Sequence, residues 1–213
     1  MRRAVLISCF VMAAAAAPLR AQDPPPRIGP LVMDLHGTVP RFPDAGSLAA
    51  SRGITAVELP GSGLGVQAGV HLYFFRWRAI TFGIGGEAVV ARAKQTPAAA
   101  ARGLNPVTEK FRTLGSQLSL NFGTGQGWSY LSGGIGRSNW SIIPGSRRPL
   151  ATDDEVLKTI NYGGGARWFT SAHLAFSFDV RFYALNPGTV SPGFPSSPRT
   201  TFVAFAAGVS VKP

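Results

Sequence analysis

The sequence predicts an all-β chain: a closed antiparallel up-and-down β-barrel of eight transmembrane strands, with three short turns at one end and four longer loops at the other. Three observations carry that expectation. Apolar and polar residues alternate through run after run of about ten to twelve residues, the period of a strand with two unlike faces. The connections between these runs alternate strictly between long and short. Charged residues make up only 15% of the chain, against roughly 25% in ordinary water-facing domains.

The first segment is set apart from the barrel. Arg2 and Arg3 precede an apolar stretch, Ala4–Ala17, and Pro18, Leu19 and Arg20 lead to the small residue Ala21. That layout is expected to be a secretory signal over residues 1–21, too short in its apolar part for a membrane span. The only cysteine, Cys9, lies inside it, so the exported chain is expected to use no disulfide or thiol chemistry. With Arg2, Arg3 and Arg20 removed, the formal charge of +11 falls to about +8. Such a balance favours anionic partners. For an exported chain the nearest is a lipid surface, and no nucleic acid is expected.

The elements follow in order. Residues 22–30 form a proline-rich leader, Asp23–Pro30, that cannot join a central strand. Leu31–Phe42 alternates, with Leu31, Met33, Leu35 and Val39 opposite Val32, Asp34, His36 and Thr38, and Pro40 and Pro43 are expected to end it. Pro43–Pro60 has no period and reads as a loop. Leu64–Phe75 and Ile80–Arg92 form a hairpin across Arg76, Trp77 and Arg78, and Ala93–Lys110 is a second long loop in which Ala98–Ala101 could turn helically. Phe111–Phe122 and Trp128–Trp140 flank the glycine turn Gly123–Gly127. Ser141–Val156 is a third loop. Asn161–Leu185 holds two runs across the turn Thr170–His173, Asn186–Pro198 is a fourth loop, and Thr200–Val211 is the last strand. The short turns recur at intervals of about 47 residues, which is hairpin spacing with no sign of a second domain.

The polar parity decides which side faces what. In Leu174–Leu185, the residues Leu174, Phe176, Phe178, Val180 and Phe182 share one face, and Ala175, Ser177, Asp179, Arg181 and Tyr183 share the other. Elsewhere the polar faces hold Gly, Ser, Thr, Asn and Gln, while Lys110, Lys158 and Lys212 sit only at strand ends. That set makes a poor exterior for a soluble lipocalin-like barrel and a good packed polar interior for a membrane barrel. Strands of this length, tilted, cross a bilayer core. Aromatic residues cluster beside the short turns. Of these, Phe74, Trp77, Phe122, Trp128, Tyr130 and Trp168 are expected to form a girdle at the lipid–water boundary.

The segment NYGGGARWFTSAHLAFSFDVRFY is similar to the penultimate hairpin of the small eight-stranded outer-membrane β-barrel superfamily, the OmpA-like and OmpX-like barrels of Gram-negative envelopes. The likeness covers about residues 31–213 and rests on architecture. It implies an outer-membrane location, insertion by the outer-membrane assembly machinery, contact with outer-membrane lipid and lipopolysaccharide, a monomer, and no cofactor. A barrel without a peptidoglycan-binding domain is expected. Barrels of this kind commonly end on an aromatic residue, whereas this chain ends Val211, Lys212, Pro213.

With the polar faces inward, Asp34, His36, His71, Glu87, Arg167, Asp179 and Arg181 share the interior. Buried charge must be paired or hydrated. The expected role is a polar network plugging the lumen, and the alternative is a narrow porin-like path for small solutes. Some eight-stranded barrels are lipid A-modifying enzymes that use a serine and a histidine base. Here His173 falls on a short turn, and no His-x-Ser motif accompanies His36 or His71, so no catalytic residue is expected. No metal-ligand cluster or phosphate loop occurs, and the glycine runs Gly133–Gly136 and Gly163–Gly165 read as places where strands bend or pack closely. The long loops carry Arg41, Arg52, Arg92, Lys94, Arg102, Lys110, Arg147 and Arg148. Either this rim binds lipopolysaccharide phosphates or the loops are simply solvated.

Overall fold

The structure, a computed structural model, describes residues 29–95, 103–123, 126–190 and 193–213. The expected signal, most of the leader, the Ala98–Ala101 turn and the centre of the glycine turn lie outside the described residues.

Eight antiparallel strands close into one barrel in sequence order: β1 (Leu31–Arg41), β2 (Leu64–Trp77), β3 (Ile80–Lys94), β4 (Val107–Phe122), β5 (Gly127–Pro144), β6 (Asp154–Phe169), β7 (Leu174–Leu185) and β8 (Thr200–Val211). Closure is made by β1 on β8, with Met33 opposite Val211 and Arg41 opposite Val203. Every strand thus has two neighbours, and no edge is left unpaired. The β2–β3 turn is tight, with Arg78 at φ 54. No helix is long and apolar enough to cross a membrane among the described residues, which says nothing of strands.

Several expected boundaries move outward. β4 starts at Val107, because Val107, Glu109 and Phe111 continue the inward parity while Thr108 and Lys110 alternate with them. β5 runs to Pro144 and β6 begins at Asp154, held by the pairs Lys110↔Ser141 and Ser141↔Asp154. The second and third loops are therefore shorter than expected. Pro40 does not end β1: the ladder to β2 stops at Thr38↔Gly65, and β8 alone pairs with the strand beyond that point. The first loop is not featureless. It carries a short helix, α1 (Gly46–Ala50), and a 3₁₀ turn, Ala56–Glu58.

The outward parity is mostly apolar through the middle of every strand, and large side chains stand bare on it. Leu114 is 70% exposed, Leu118 69% and Phe176 64%. Phe74, Trp77 and Trp168 are exposed at the short-turn end, and Phe122 is half-buried beside them.

The interior is layered. At the short-turn end Val32, Tyr73 and Trp128 pack together with Phe169. Charged and polar side chains fill the middle. Toward the long loops the lumen becomes apolar again, with Val89, Ala91, Phe111, Trp140, Tyr183 and Phe202 meeting Leu48 and Leu59 of the first loop. The rings of Phe111, Tyr183 and Phe202 lie 4.9–5.4 Å apart between centroids, within the spacing of favourable aromatic pairs. Small polar residues alone therefore do not fill the interior. Its upper third is a hydrophobic core roofed by α1.

Candidate functional site: the lumen network and the loop cap

Strand parity brings all seven expected interior residues into the barrel, where each is buried. Arg167 on β6 reaches across to Asp34 on β1 with two parallel hydrogen bonds, Nε to Oδ1 at 2.9 Å and Nη2 to Oδ2 at 2.7 Å. Ser210 also donates to Asp34, and the Arg167 guanidinium lies 4.0 Å from the centre of the Tyr130 ring. Arg181 on β7 forks between two carboxylates. Its Nε lies 2.7 Å from Glu87 Oε2, and its Nη2 donates to Asp179 Oδ2 at 2.8 Å. Glu87 accepts further from Gln67 at 2.9 Å and from the Tyr183 hydroxyl at 2.7 Å. Tyr130 donates to Asp179 at 2.7 Å. Asp34, Glu87 and Asp179 thus each meet a guanidinium and at least one further donor, the condition under which buried charge is tolerated.

Trp128 and Tyr130 correct the expected girdle. They are 2% and 3% exposed and point into the lumen, Trp128 as part of its floor and Tyr130 as a ligand of the charged layer. On β5 the residues Trp128, Tyr130 and Ser132 share the inward parity, while Ser129 and Leu131 take the outward one. Gly165, opposite Asp179 on β7, leaves room for that arrangement: a Cβ there would meet Phe178 O and the Tyr130 hydroxyl.

The histidines separate. His71 Nε2 stands 3.7 Å from Asp34 Oδ2. His173 lies on the β6–β7 turn, with Nδ1 2.8 Å from the Lys212 carbonyl. His36 meets a serine that no sequence motif indicated: its Nε2 is 2.6 Å from Ser177 Oγ, which lies 2.8 Å from Ser210 Oγ. The pairing arises because Gly208 of β8 is opposite both His36 and Ser177, and a Cβ on it would meet the His36 ring at 2.9 Å. Ser177 and His36 are both buried inside the filled barrel, so this contact is a packing hydrogen bond with no approach for a substrate. Among the described residues no group of three or more His, Cys, Asp or Glu could hold a metal.

The long loops are knitted into a cap, which the sequence did not indicate. Arg52, expected on a solvated rim, is 1% exposed and pairs with Glu155 at the top of β6 at 2.6 Å. Glu155 also accepts from the Thr189 backbone N–H at 2.8 Å and from Ser197 at 3.0 Å, both in the fourth loop. Arg147 in the third loop forks onto Asp153 at 2.6 and 2.8 Å and donates to the Arg52 carbonyl at 3.1 Å. Glu58 caps its own 3₁₀ turn and accepts from the Asn105 backbone N–H at 3.2 Å, tying the first loop to the second.

Two of these carboxyls are tuned by their partners. Burial pushes Asp153 up, but the hydrogen bonds from Arg147 and from the Leu150 N–H outweigh it and hold the group below the usual aspartate range. The Thr55 backbone N–H, above all, holds Glu58 below the usual glutamate range despite burial.

No protein-family model matches the chain, and no curated protein does. Solved structures do. Ail, the attachment invasion locus protein of Yersinia pestis, aligns at a TM-score of 0.54 and 10% identity over 86% of this chain and 97% of its own. A second Ail structure, with the heparin analogue sucrose octasulfate, aligns equally. Neisserial surface protein A aligns at a TM-score of 0.47 and 15% identity over 86% of this chain and 95% of its own. At 10% identity the likeness to Ail is one of architecture, and it agrees with the strand order and closure described above. The chain has the fold of the small eight-stranded outer-membrane β-barrels.

Proposed function

We propose that the chain is an integral outer-membrane protein whose barrel anchors a surface-exposed, loop-built platform for interaction, with a sealed lumen and no catalytic activity. The observation that supports this best is the inversion of the barrel: its charges pair inside, and residues such as Leu114 and Leu118 are about 70% exposed outside. Soluble monomers rarely expose contiguous apolar patches beyond a few hundred Å². A lipid exterior turns that exposure from a cost into the reason for folding.

The layered interior supports a plug over a channel. Guanidinium–carboxylate pairs span the lumen, and an aromatic and aliphatic core stands between them and the cap. An eight-stranded barrel is only wide enough for side chains to fill it. The buried position of His36 and Ser177 argues against a lipid A-modifying enzyme.

The long-loop end would face outward from the cell and the short turns inward, with the outer-membrane insertion machinery delivering a monomer. Lipid and lipopolysaccharide are its expected neighbours. Ail was solved with a sulfated heparin analogue, and for this chain the basic loops make a polyanionic partner the class to test first. Membrane fractionation with heat-modifiable gel mobility tests the reading. The protein should pellet with outer membranes and migrate faster unboiled than boiled. A soluble periplasmic species without a mobility shift would restore the lipocalin-like alternative.

A further inference from the structure

Below Lys94, which ends the outward face of β3, five cations point outward from one wall of the barrel near its long-loop end: Arg92 on β3, Lys110 and Arg112 on β4, Arg137 on β5 and Lys158 on β6. Two pairs of them are direct cross-strand neighbours. Arg92 is opposite Lys110, and Arg137 is opposite Lys158. Arg112 falls between the pairs, opposite Val90 on one side and Asn139 on the other. Like charges placed directly across a ladder repel. Among the described residues no carboxylate forms an ion pair with any of the five. The carboxylate nearest in register, Asp154, is taken by the Ser141 hydroxyl. On the rest of the barrel the exposed strand cations are Arg41 at the end of β1 and Arg76 at the short-turn end of β2, and β7 and β8 carry none on their outward faces. The charge is therefore a local arc and not a uniform girdle.

Its height is informative. Arg112, Arg137 and Lys158 lie ten or eleven residues from the short-turn ends of their strands. With a rise of about 3.3 Å per residue and a tilt of about 40°, that is about 25 Å, the height of the apolar band of a membrane barrel. The arc thus sits where lipid phosphates begin. Beneath it the wall is notched. A depression of about 700 Å³ opens where Ser116 and Gly133 leave gaps among Ile84, Leu118 and Ile135. Ile135 is two residues below Arg137 on β5, and Ser116 is four below Arg112 on β4.

We propose that this wall binds one lipid carrying two phosphate groups, from the leaflet on the long-loop side. Each phosphate bridges one cation pair, an acyl chain lies in the notch, and Arg112 lies between the two headgroup charges. An anion shared by two facing cations converts their repulsion into attraction, and two such pairs match a diphosphorylated headgroup better than a monophosphorylated one. The site rests on the membrane-barrel reading, since only an embedded barrel presents this wall to lipid.

The test uses the mature chain inserted into phosphatidylcholine vesicles doped with equal fractions of diphosphoryl lipid A and phosphatidylglycerol. After extraction in mild detergent, native mass spectrometry counts the retained lipids. Wild-type protein should keep one lipid A in preference to phosphatidylglycerol. R137Q/K158Q should keep about thirtyfold less, on the scale of about one kcal/mol for each of the two basic residues at a membrane surface. S116L, which fills the notch without touching charge, should also retain less, whereas R76Q at the opposite end should match the wild type. Heat-modifiable mobility reports folding of each variant. Equal retention of lipid A by folded wild type and R137Q/K158Q, or equal retention of the two lipids by wild type, would overturn the site alone. Failure of the wild type to insert at all would overturn the membrane reading and the site with it.

Discussion

Arg167 and Asp34, 133 residues apart in sequence, share two parallel hydrogen bonds across the centre of the lumen. The pair closes the barrel twice over, since Asp34 belongs to the first strand and accepts from Ser210 on the last. Removing one partner leaves the other charge buried and uncompensated, which typically costs about 3–5 kcal/mol. Asp34→Ala should therefore lower stability by that order in urea unfolding followed by gel mobility. Asp34→Leu combined with Arg167→Met should recover a substantial part of the loss. A double variant no more stable than the single would contradict a coupled ion pair.

The loop cap should respond to acid. Asp153 and Glu58 are held below their ordinary values of 3.8 and 4.5. A carboxyl depressed in the folded state contributes stability that is present above its unfolded value and lost as pH falls through the folded one. As pH falls below 4.5 for Glu58 and 3.8 for Asp153 and on through their folded values, the Glu58 turn and the Arg147–Asp153 fork should open, and loop amides should exchange faster after correction for intrinsic rates. Arg147→Gln should already exchange faster at pH 6 and gain less on acidification. Loop exchange insensitive to both changes would show that the fork does not hold the cap.

Glycine at position 165 is demanded by what faces it. A larger side chain would strike Phe178 O and the Tyr130 hydroxyl, displacing Tyr130 from Asp179. Gly165→Val should reduce the folded, heat-modifiable fraction severely, by more than about 3 kcal/mol where overpacking and a broken buried hydrogen bond combine. Gly61→Ala, in the open first loop with nothing within 4 Å of a Cβ, should cost far less. It is strained only by its φ of 69, about 1 kcal/mol.

The filled lumen predicts silence in a planar bilayer. Wild-type protein should give no steady conductance. Glu87→Ala/Arg181→Ala should melt at lower temperature before it conducts, because the apolar layer of Phe111, Tyr183 and Phe202 remains above the gap. A stable unitary conductance in the wild type would favour the channel alternative.

How much of this was legible in the sequence depends on where parity carries information. In β1, β6 and β7 one parity is greasy and the other polar, so Asp34, Arg167, Asp179 and Arg181 could be placed inside before any coordinates. β5 is interrupted by Gly133, Gly134 and Gly136, and the first of its two tryptophans, Trp128, lies beside a turn. Proximity to the turn suggested a girdle for Trp128 and Tyr130, although their shared parity with Ser132 pointed inward. On the upper part of β3 both parities are apolar, at Val89, Val90 and Ala91, so alternation could not show there that a hydrophobic core replaces the polar lumen. The cap was hidden for a different reason. Arg52 and Glu155 are 103 residues apart, and loop-to-loop ion pairs leave no periodic trace. The His36–Ser177 contact depends on Gly208 between them, a three-strand relationship visible only once register is known.

On the proposed reading the greasy parity faces lipid and the other parity a sealed interior, and the four tryptophans divide evenly between the two. Trp77 and Trp168 are exposed on the outer wall, whereas Trp128 and Trp140 are buried in the lumen. Single-tryptophan variants, each keeping one of the four, inserted into vesicles of brominated phosphatidylcholine, read that division directly by fluorescence quenching. Strong quenching of Trp77 and Trp168 and weak quenching of Trp128 and Trp140 are expected. Quenching of the second pair as strong as the first, or none of any tryptophan in vesicles that retain the protein, would contradict that reading.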